Sequence, residues 1–274
     1  MSRLALLGVT REEVDESRAA VSACFARSQE LRGGIAEVSV DLSSRPVRGF
    51  VVAMTYRTGS TVLKDWLAAT AVLGRPEEYL NTRPGNLLDQ WAAAFRAEDV
   101  RSYLGCVAVH HQTPNAVFGI KAEFMQFLPV ILADSIDLIG SDVRFVYVER
   151  RDLLAQAVSL ATARATGKWN TTMPVRFDEE IDAASVVGCM FEITRRRELW
   201  ERFFALAGVE PLRLVYEEMV LDPPDTVSKV AAHLDCPLPT SIEAPISRLD
   251  VQRDALSAEW KARIRRLFDE GDDL

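Results

Sequence analysis

The chain has 274 residues, 48% of them hydrophobic, with 40 acidic side chains against 32 basic ones and a formal charge of −8. Such a composition is that of an ordinary globular protein, and its acidic balance excludes an extended nucleic-acid-binding or polybasic membrane surface, each of which needs a basic footprint. It does not exclude a small anionic ligand held by a few gathered cations, and the length suits one elaborated α/β domain as well as two domains.

In chain order, the apolar run Leu4 to Val9 comes first and is followed at once by Arg11, Glu12 and Glu13. It is too short for a signal-peptide core. No stretch approaches the roughly 20 apolar residues of a spanning helix, so the expected location is the cytoplasm. Residues 11 to 32 place Val14, Val21, Phe25 and Leu31 at helical spacing among charges, and Gly33-Gly34 stops them. A short strand is expected over Ile35 to Leu42, before the turn-rich Ser43-Ser44-Arg45-Pro46. Residues 1–48 therefore read as a helical and strand-containing extension, and residues 49–274 as the main domain.

From Gly49 the pattern alternates. Gly49 to Met54 is a continuous apolar run suited to a buried parallel strand, and Thr61 to Leu73 is a helix carrying Leu63, Trp66, Leu67 and Leu73 on one face. Further strands are predicted over Ala116 to Ala122, Arg144 to Glu149 and Leu212 to Tyr216. Helices are predicted from Asp152 to near Gly167, over Thr226 to Leu234 and over Ser257 to Phe268. Strands separated by helices give an α/β fold with a mainly parallel central sheet flanked by helices. Ligands in such folds bind outside the carboxyl ends of the strands. The four cysteines, Cys24, Cys106, Cys189 and Cys236, form no C-x-x-C pair and read as buried free thiols.

The segment at the carboxyl end of the first strand is Thr55-Tyr56-Arg57-Thr58-Gly59-Ser60-Thr61. Gly59 permits close backbone approach to an anion, the hydroxyls of Thr58, Ser60 and Thr61 are donors, and the following helix presents unpaired N–H groups at its positive end. Arg57 adds a permanent charge with two parallel donors. These components suit phosphate or sulfate, although the loop lacks the second glycine and the Lys of a Walker A motif. A plain turn with a Thr or Ser N-cap is the competing reading. Downstream, Arg150-Arg151 ends a strand and Ser159 lies about two helical turns further on, an arrangement that can grip a second phosphate or serve as a solvated salt-bridge site.

The loop 57–61, the segment Gly74-Arg75-Pro76-Glu77-Glu78-Tyr79, the strand with Gly119 and Lys121, the element Arg150 to Ser159 and the trailing Trp169 occur together in this order. In that order they resemble the bacterial trehalose sulfotransferase family, soluble enzymes with a P-loop-like sulfotransferase fold that use 3′-phosphoadenosine-5′-phosphosulfate (PAPS) as sulfuryl donor. The resemblance runs from about Phe50 to Trp169 and returns around Gln252-Arg253 and Glu259-Trp260.

What the resemblance implies is specific. Arg57, Thr58, Gly59, Ser60 and Thr61 form the loop around the 5′-phosphosulfate. Arg150, with Arg151 as second choice, and Ser159 hold the 3′-phosphate, and Arg253 helps cover the nucleotide. Glu78 is the general base, its pKa expected to be raised by burial or by Glu77. Lys121 serves the bridging or acceptor oxygens, unless it is a snorkelling edge Lys. His110 and His111, read as a loop before Thr113-Pro114-Asn115, compete for the base role. Trp169 stacks on adenine, lines the acceptor cleft or packs in the core.

The expected acceptor is a small molecule with a hydroxyl, sugar-containing, with no metal and no nucleic acid; a homodimer is left open. Two departures stand out. Thr162 occupies a position where related sequences tend to have Arg, which bears on the acceptor, and Thr58 stands for the loop's usual Ser. The rivals are a P-loop-like nucleotide kinase, for which neither a Walker Lys nor a magnesium-binding carboxylate can be placed, and a non-catalytic nucleotide-binding protein on the same fold.

Overall fold

The computed structural model describes residues 3–169, 180–240 and 255–271. Two helices open the chain, α1 (Arg3–Leu7) and α2 (Arg11–Leu31). A reciprocal capping box starts α2, in which Thr10 accepts from the Glu13 N–H while the Glu13 side chain accepts from the Thr10 N–H. The stretch 35–42, expected as a strand, is not one. It lies along the protein with Val38 and Val40 packed on the core and a backbone bond from Val38 N–H to the Ala94 carbonyl. Alternating apolar residues only require one side to be buried, and an irregular segment meets that requirement without a partner strand.

The central sheet is wholly parallel. Strand β1 (Arg48–Met54) is followed by α3 (Ser60–Ala69), α4 (Leu87–Ala94) and α5 (Val100–His111), and then by β2 (Val117–Glu123) and α6 (Phe124–Leu132). Next come β3 (Asp142–Glu149), α7 (Leu153–Thr166) and α8 (Ala183–Ala207). The chain continues through β4 (Leu212–Val215), the single turn α9 (Tyr216–Met219) and α10 (Pro223–His233) to α11 (Ala255–Glu270). The strand order is β2-β1-β3-β4, with Met54 opposite Glu123 on one side and Val148 on the other. All four strand ends therefore point the same way. The direction of winding reverses at β1, which puts the loop after it at a topological switch point.

Strand β1 is buried on both faces, as its unbroken apolar run requires. Phe50, Val52 and Met54 pack with Leu63, Trp66 and Leu67 of α3 and Val227 and Val230 of α10. Val51 and Ala53 join the opposite layer with Phe124 and Phe127 of α6 and the aromatic cluster Trp200, Phe203 and Phe204 of α8. Trp200 also donates from its indole to the Met54 carbonyl, at 3.1 Å, and so fixes the strand end on which the site is built. Among the described residues no helix is long and apolar enough to cross a membrane.

Candidate active site

The loop after β1 has an unusual backbone. Arg57 adopts φ +67°, a left-handed conformation that a residue with a Cβ rarely takes, and Gly59 adopts φ +80°. A Cβ on Gly59 would stand 2.4 Å from the Tyr216 ring, so only glycine lets the loop lie against α9. Gly59 is the N-cap of α3, and no side chain caps that helix. The Thr or Ser N-cap of the plain-turn reading is therefore absent. The Thr58 hydroxyl is not directed outward as a donor; it is buried and donates to the Thr55 carbonyl at 3.0 Å, which closes the turn. With Thr58 turned inward, the first N–H groups of α3 stand beside the Ser60 and Thr61 hydroxyls as groups able to meet an anion.

Two guanidinium groups stand beside the loop. Arg57 donates from Nε to Ser159 Oγ at 2.8 Å and from Nη1 to the Trp169 carbonyl. Arg150 lies 4.9 Å above the Tyr216 ring centroid and donates from Nη1 to the Arg57 carbonyl at 3.3 Å. Neither forms an ion pair with a carboxylate among the described residues. Burial, and after it the neighbouring Arg150 cation, pull the Arg57 pKa below its ordinary value. Arg150 Nε is a buried donor with no hydrogen-bond partner. Two adjacent cations and an orphaned donor are what an anion with several oxygens would satisfy. Arg151, by contrast, points to solvent and pairs with Glu218.

The third component comes from the side of β2. Residues 76–80 run beside that strand, with Lys121 N–H donating to the Glu77 carbonyl at 2.9 Å and the Tyr103 hydroxyl donating to the Tyr79 carbonyl at 2.7 Å. Glu78 is thereby held over the end of the strand. Its Oε1 lies 2.9 Å from Lys121 Nζ, and its Oε2 accepts from Asn81 Nδ2 at 2.9 Å and Gln126 Nε2 at 3.2 Å. Lys121 is 4% exposed, and its ammonium also donates to Thr61 Oγ1 at 3.1 Å. One cation thus bridges the carboxylate and the loop after β1, which is not the posture of a snorkelling edge Lys.

Burial pushes the Glu78 pKa up, but Lys121, Gln126 and Asn81 together outweigh it and leave the carboxyl below its ordinary value. The raised pKa expected from the sequence is thus reversed. Glu77 does not press on Glu78 either, because it pairs with Lys64. The carboxyl that is pushed up, to about 7, is Glu123, through burial, with Arg196 and the Met125 N–H opposing it.

The profile of the family described as Stf0 sulphotransferase matches residues 49–267, most of the chain and every described site residue named above. The chain belongs to the Stf0 sulphotransferase family. Among its relatives is the trehalose 2-sulfotransferase of Mycobacterium tuberculosis, 27% identical over 259 residues and covering 81% of this chain and 96% of the relative. The protein of the same name from Mycolicibacterium smegmatis is 26% identical over 266 residues, covering 82% and 97%. Solved structures with similarity include the sulfotransferase domain of a Synechococcus olefin synthase, with a TM-score of 0.48 and 14% identity over 84% of this chain and 96% of that one. A sulfotransferase from M. tuberculosis gives 0.46 and 13%, over 82% and 78%.

Within this Stf0 sulphotransferase the structure also adds residues that the motifs do not name. Gln156, fully buried on α7, donates to Thr55 Oγ1 at 2.8 Å and to the Tyr56 carbonyl at 2.6 Å, and so ties the loop after β1 to the helix that bears Ser159. Arg197 of α8 donates to Gln156 Oε1 at 2.7 Å and to the Arg150 carbonyl. Trp169 is partly buried and packs against the cluster of α7 and α8 that holds Val158, Leu160 and Ile193; its ring centroid is 5.8 Å from that of Tyr56, and the Arg83 guanidinium lies 4.6 Å from it. A signal for Gln126 was present in the sequence, since Glu123-x-x-Gln126 at a strand-to-helix junction is a capping-box pattern. Gln252 and Arg253 lie outside the described residues.

His110 and His111 are not in a loop; they form the last turn of α5. His111 packs between Tyr79 and Trp91, with centroids at 4.9 and 4.5 Å, and its Nε2 is buried without a partner. Burial, then the charges of His110 and Arg75, depress its pKa to about 4. An unfolded chain protonates this imidazole near pH 6.5 and the folded chain only near 4, so stability is lost as pH falls through that window. His111→Phe, which keeps the ring stack, should reduce the loss of unfolding free energy between pH 7 and pH 5 by about 2 kcal/mol. Denaturant titrations at both pH values measure it, and an unchanged pH dependence would contradict the assignment.

Proposed function

We propose that this chain moves a sulfuryl group from PAPS to a hydroxyl of a carbohydrate, with trehalose or a close disaccharide relative the first acceptor to try, and with Glu78 as general base. The observation that carries this reading is the Lys121 bridge: one buried ammonium touches both Glu78 and Thr61, so the base and the donor loop lie within reach of a single reacting centre. Family membership supports sulfuryl transfer, and the name shared by the two curated relatives supports the acceptor class.

In the proposed reaction the acceptor oxygen attacks sulfur in line, the bond from sulfur to the bridging phosphate oxygen breaks, and the hydroxyl proton passes to Glu78. Negative charge gathers on the departing phosphate. Arg57, the α3 N-terminus and Lys121 are the groups that answer it, as donors aimed at developing charge do in phosphoryl transfer. The low ground-state pKa of Glu78 fits this scheme if Lys121 turns from the carboxylate toward the bridging oxygen as charge develops, which frees the base when it is needed. Arg150 and Ser159 hold the 3′-phosphate. Arg151 falls behind Arg150 here, because it is exposed and already paired with Glu218.

The donor is tested by thermal unfolding in the presence of 3′-phosphoadenosine-5′-phosphate, 5′-AMP or ATP with magnesium. Saturation at about 100 times the dissociation constant should raise the midpoint by about 5 to 10 °C for the 3′-phosphorylated nucleotide alone. A preference for ATP with magnesium would overturn the reading in favour of a kinase. Labelled-sulfate transfer to trehalose, other disaccharides and monosaccharides then tests the acceptor, with failure on all sugars counting against a carbohydrate.

A further inference from the structure

The family match begins at residue 49, yet helix α2, which precedes it, reaches the segment that carries Glu78. Arg27 donates from Nε to Asp89 Oδ2 at 2.8 Å and from Nη2 to Asp89 Oδ1 at 3.0 Å and to the Thr82 carbonyl at 3.0 Å. The Cys24 thiol donates to the same carbonyl at 3.3 Å. Asp89, its side chain 2% exposed, accepts from the Gly85 N–H at 2.9 Å. The stretch from Thr82 to Asp89, the latter in the first turn of α4, is therefore tied at both ends to one guanidinium. Next to Thr82 stands Asn81, whose amide donates to Glu78 Oε2.

A second line leads from the same helix to the same oxygen. Glu13 pairs with Arg196 Nη1 at 3.3 Å, and Arg196 Nε lies 3.2 Å from Glu123 Oε1. The Glu123 N–H donates to Gln126 Oε1 at 3.0 Å. That bond settles which end of the Gln126 amide is the NH₂, so its donor faces Glu78 Oε2, at 3.2 Å. Both lines end on Oε2, while Oε1 is left to Lys121.

We infer that α2 is a brace for the base segment, and that Arg27 is a positioning residue acting on Glu78 through Thr82 and Asn81. The inference rests on the reading of Glu78 as the base. A carboxylate must be held to a fraction of an ångström for proton transfer, and residues 81–86 belong to neither a strand nor a helix that would hold it. The extension supplies that hold from outside the family's matched region, and a planar fork does so where a point charge cannot.

Arg27→Lys keeps a cation beside Asp89 and loses the fork on Thr82. In the full chain it should lower kcat about tenfold, leave the donor KM near the parent value, and move the acid limb of the kcat profile upward, because the Asn81 donor to the carboxylate is loosened. Arg27→Met with Asp89→Leu removes the clamp without stranding a buried charge and should do the same. Activity is expressed per molecule able to bind 3′-phosphoadenosine-5′-phosphate. Parental kcat and pH profile in Arg27→Lys overturn the inference, and so does a loss of activity that only follows the loss of folded protein. Should the double variant not fold, Arg27→Lys decides alone. Glu78→Gln is run beside them: parental turnover there overturns the base reading instead, and its loss with parental Arg27 variants overturns the brace alone.

Discussion

Glu78→Gln is expected to lower kcat by about 10²- to 10⁴-fold, the range over which a positioned base acts, while 3′-phosphoadenosine-5′-phosphate still raises the unfolding midpoint as in the parent. The substitution is nearly isosteric, and the amide can still accept from Asn81 or Gln126, so the segment should keep its place. What it loses is the proton-accepting charge, and with it the partner of Lys121. The parent's pH profile has a defined sign. Because Lys121, Gln126 and Asn81 overcome burial and hold the carboxyl below its ordinary value, activity should persist on the acid side past the point where a free glutamate would already be half protonated. The acid limb should then fall as pH drops through that lowered pKa. Parental turnover in Glu78→Gln would remove the general-base assignment, and neither histidine is a ready substitute, since both lie in the aromatic stack at the end of α5.

The framework around this site was readable because it is written in local pattern. The unbroken apolar run of β1, the stop of α7 at Gly167 and its Asp152 cap are each short-range signals, and each falls within a residue or two of its place, whereas α3 ends at Ala69, four residues short of the expected Leu73. The misreadings share a different cause. The stretch 35–42 alternates as a strand does, but pairing depends on a neighbouring edge, which is a tertiary property. The histidines at 110 and 111 look like a loop because Thr113-Pro114 follows, whereas α5 runs through both of them and ends at His111. Helix α8 hides its apolar face behind Arg195, Arg196 and Arg197, whose partners are Glu13, Glu123, Gln156 and the Arg150 carbonyl in four other parts of the chain. The site's decisive contacts are of that long-range kind: Arg57 meets Ser159 across 102 residues of chain and Arg27 meets Asp89 across 62. Motif order brings the elements of Arg57 and Ser159 together, but not their atoms, and it carries no sign of the pair Arg27 and Asp89; the direction of the Glu78 shift was likewise out of reach.

Lys121→Met should be the second most damaging single change, with kcat lowered by about 10²- to 10³-fold, as for removal of one donor aimed at developing charge. Methionine fills much the same buried volume at the end of β2, so the sheet should stand. Two consequences separate this residue from a merely structural lysine. Burial of Glu78 remains while its cation is gone, so the upward push of desolvation is left opposed only by Asn81 and Gln126, and the acid limb of the rate profile should move upward from its place in the parent. The donor's binding, by contrast, depends mainly on Arg57, Arg150, Ser159 and the α3 N-terminus, and the midpoint shift with 3′-phosphoadenosine-5′-phosphate should therefore change little. A variant in which nucleotide binding collapses while the acid limb stays still would show that Lys121 serves the ground-state donor alone. Loss of turnover together with an upward-moving acid limb would instead tie both the base and the departing phosphate to one ammonium, the arrangement in which it touches Glu78 and Thr61 at once.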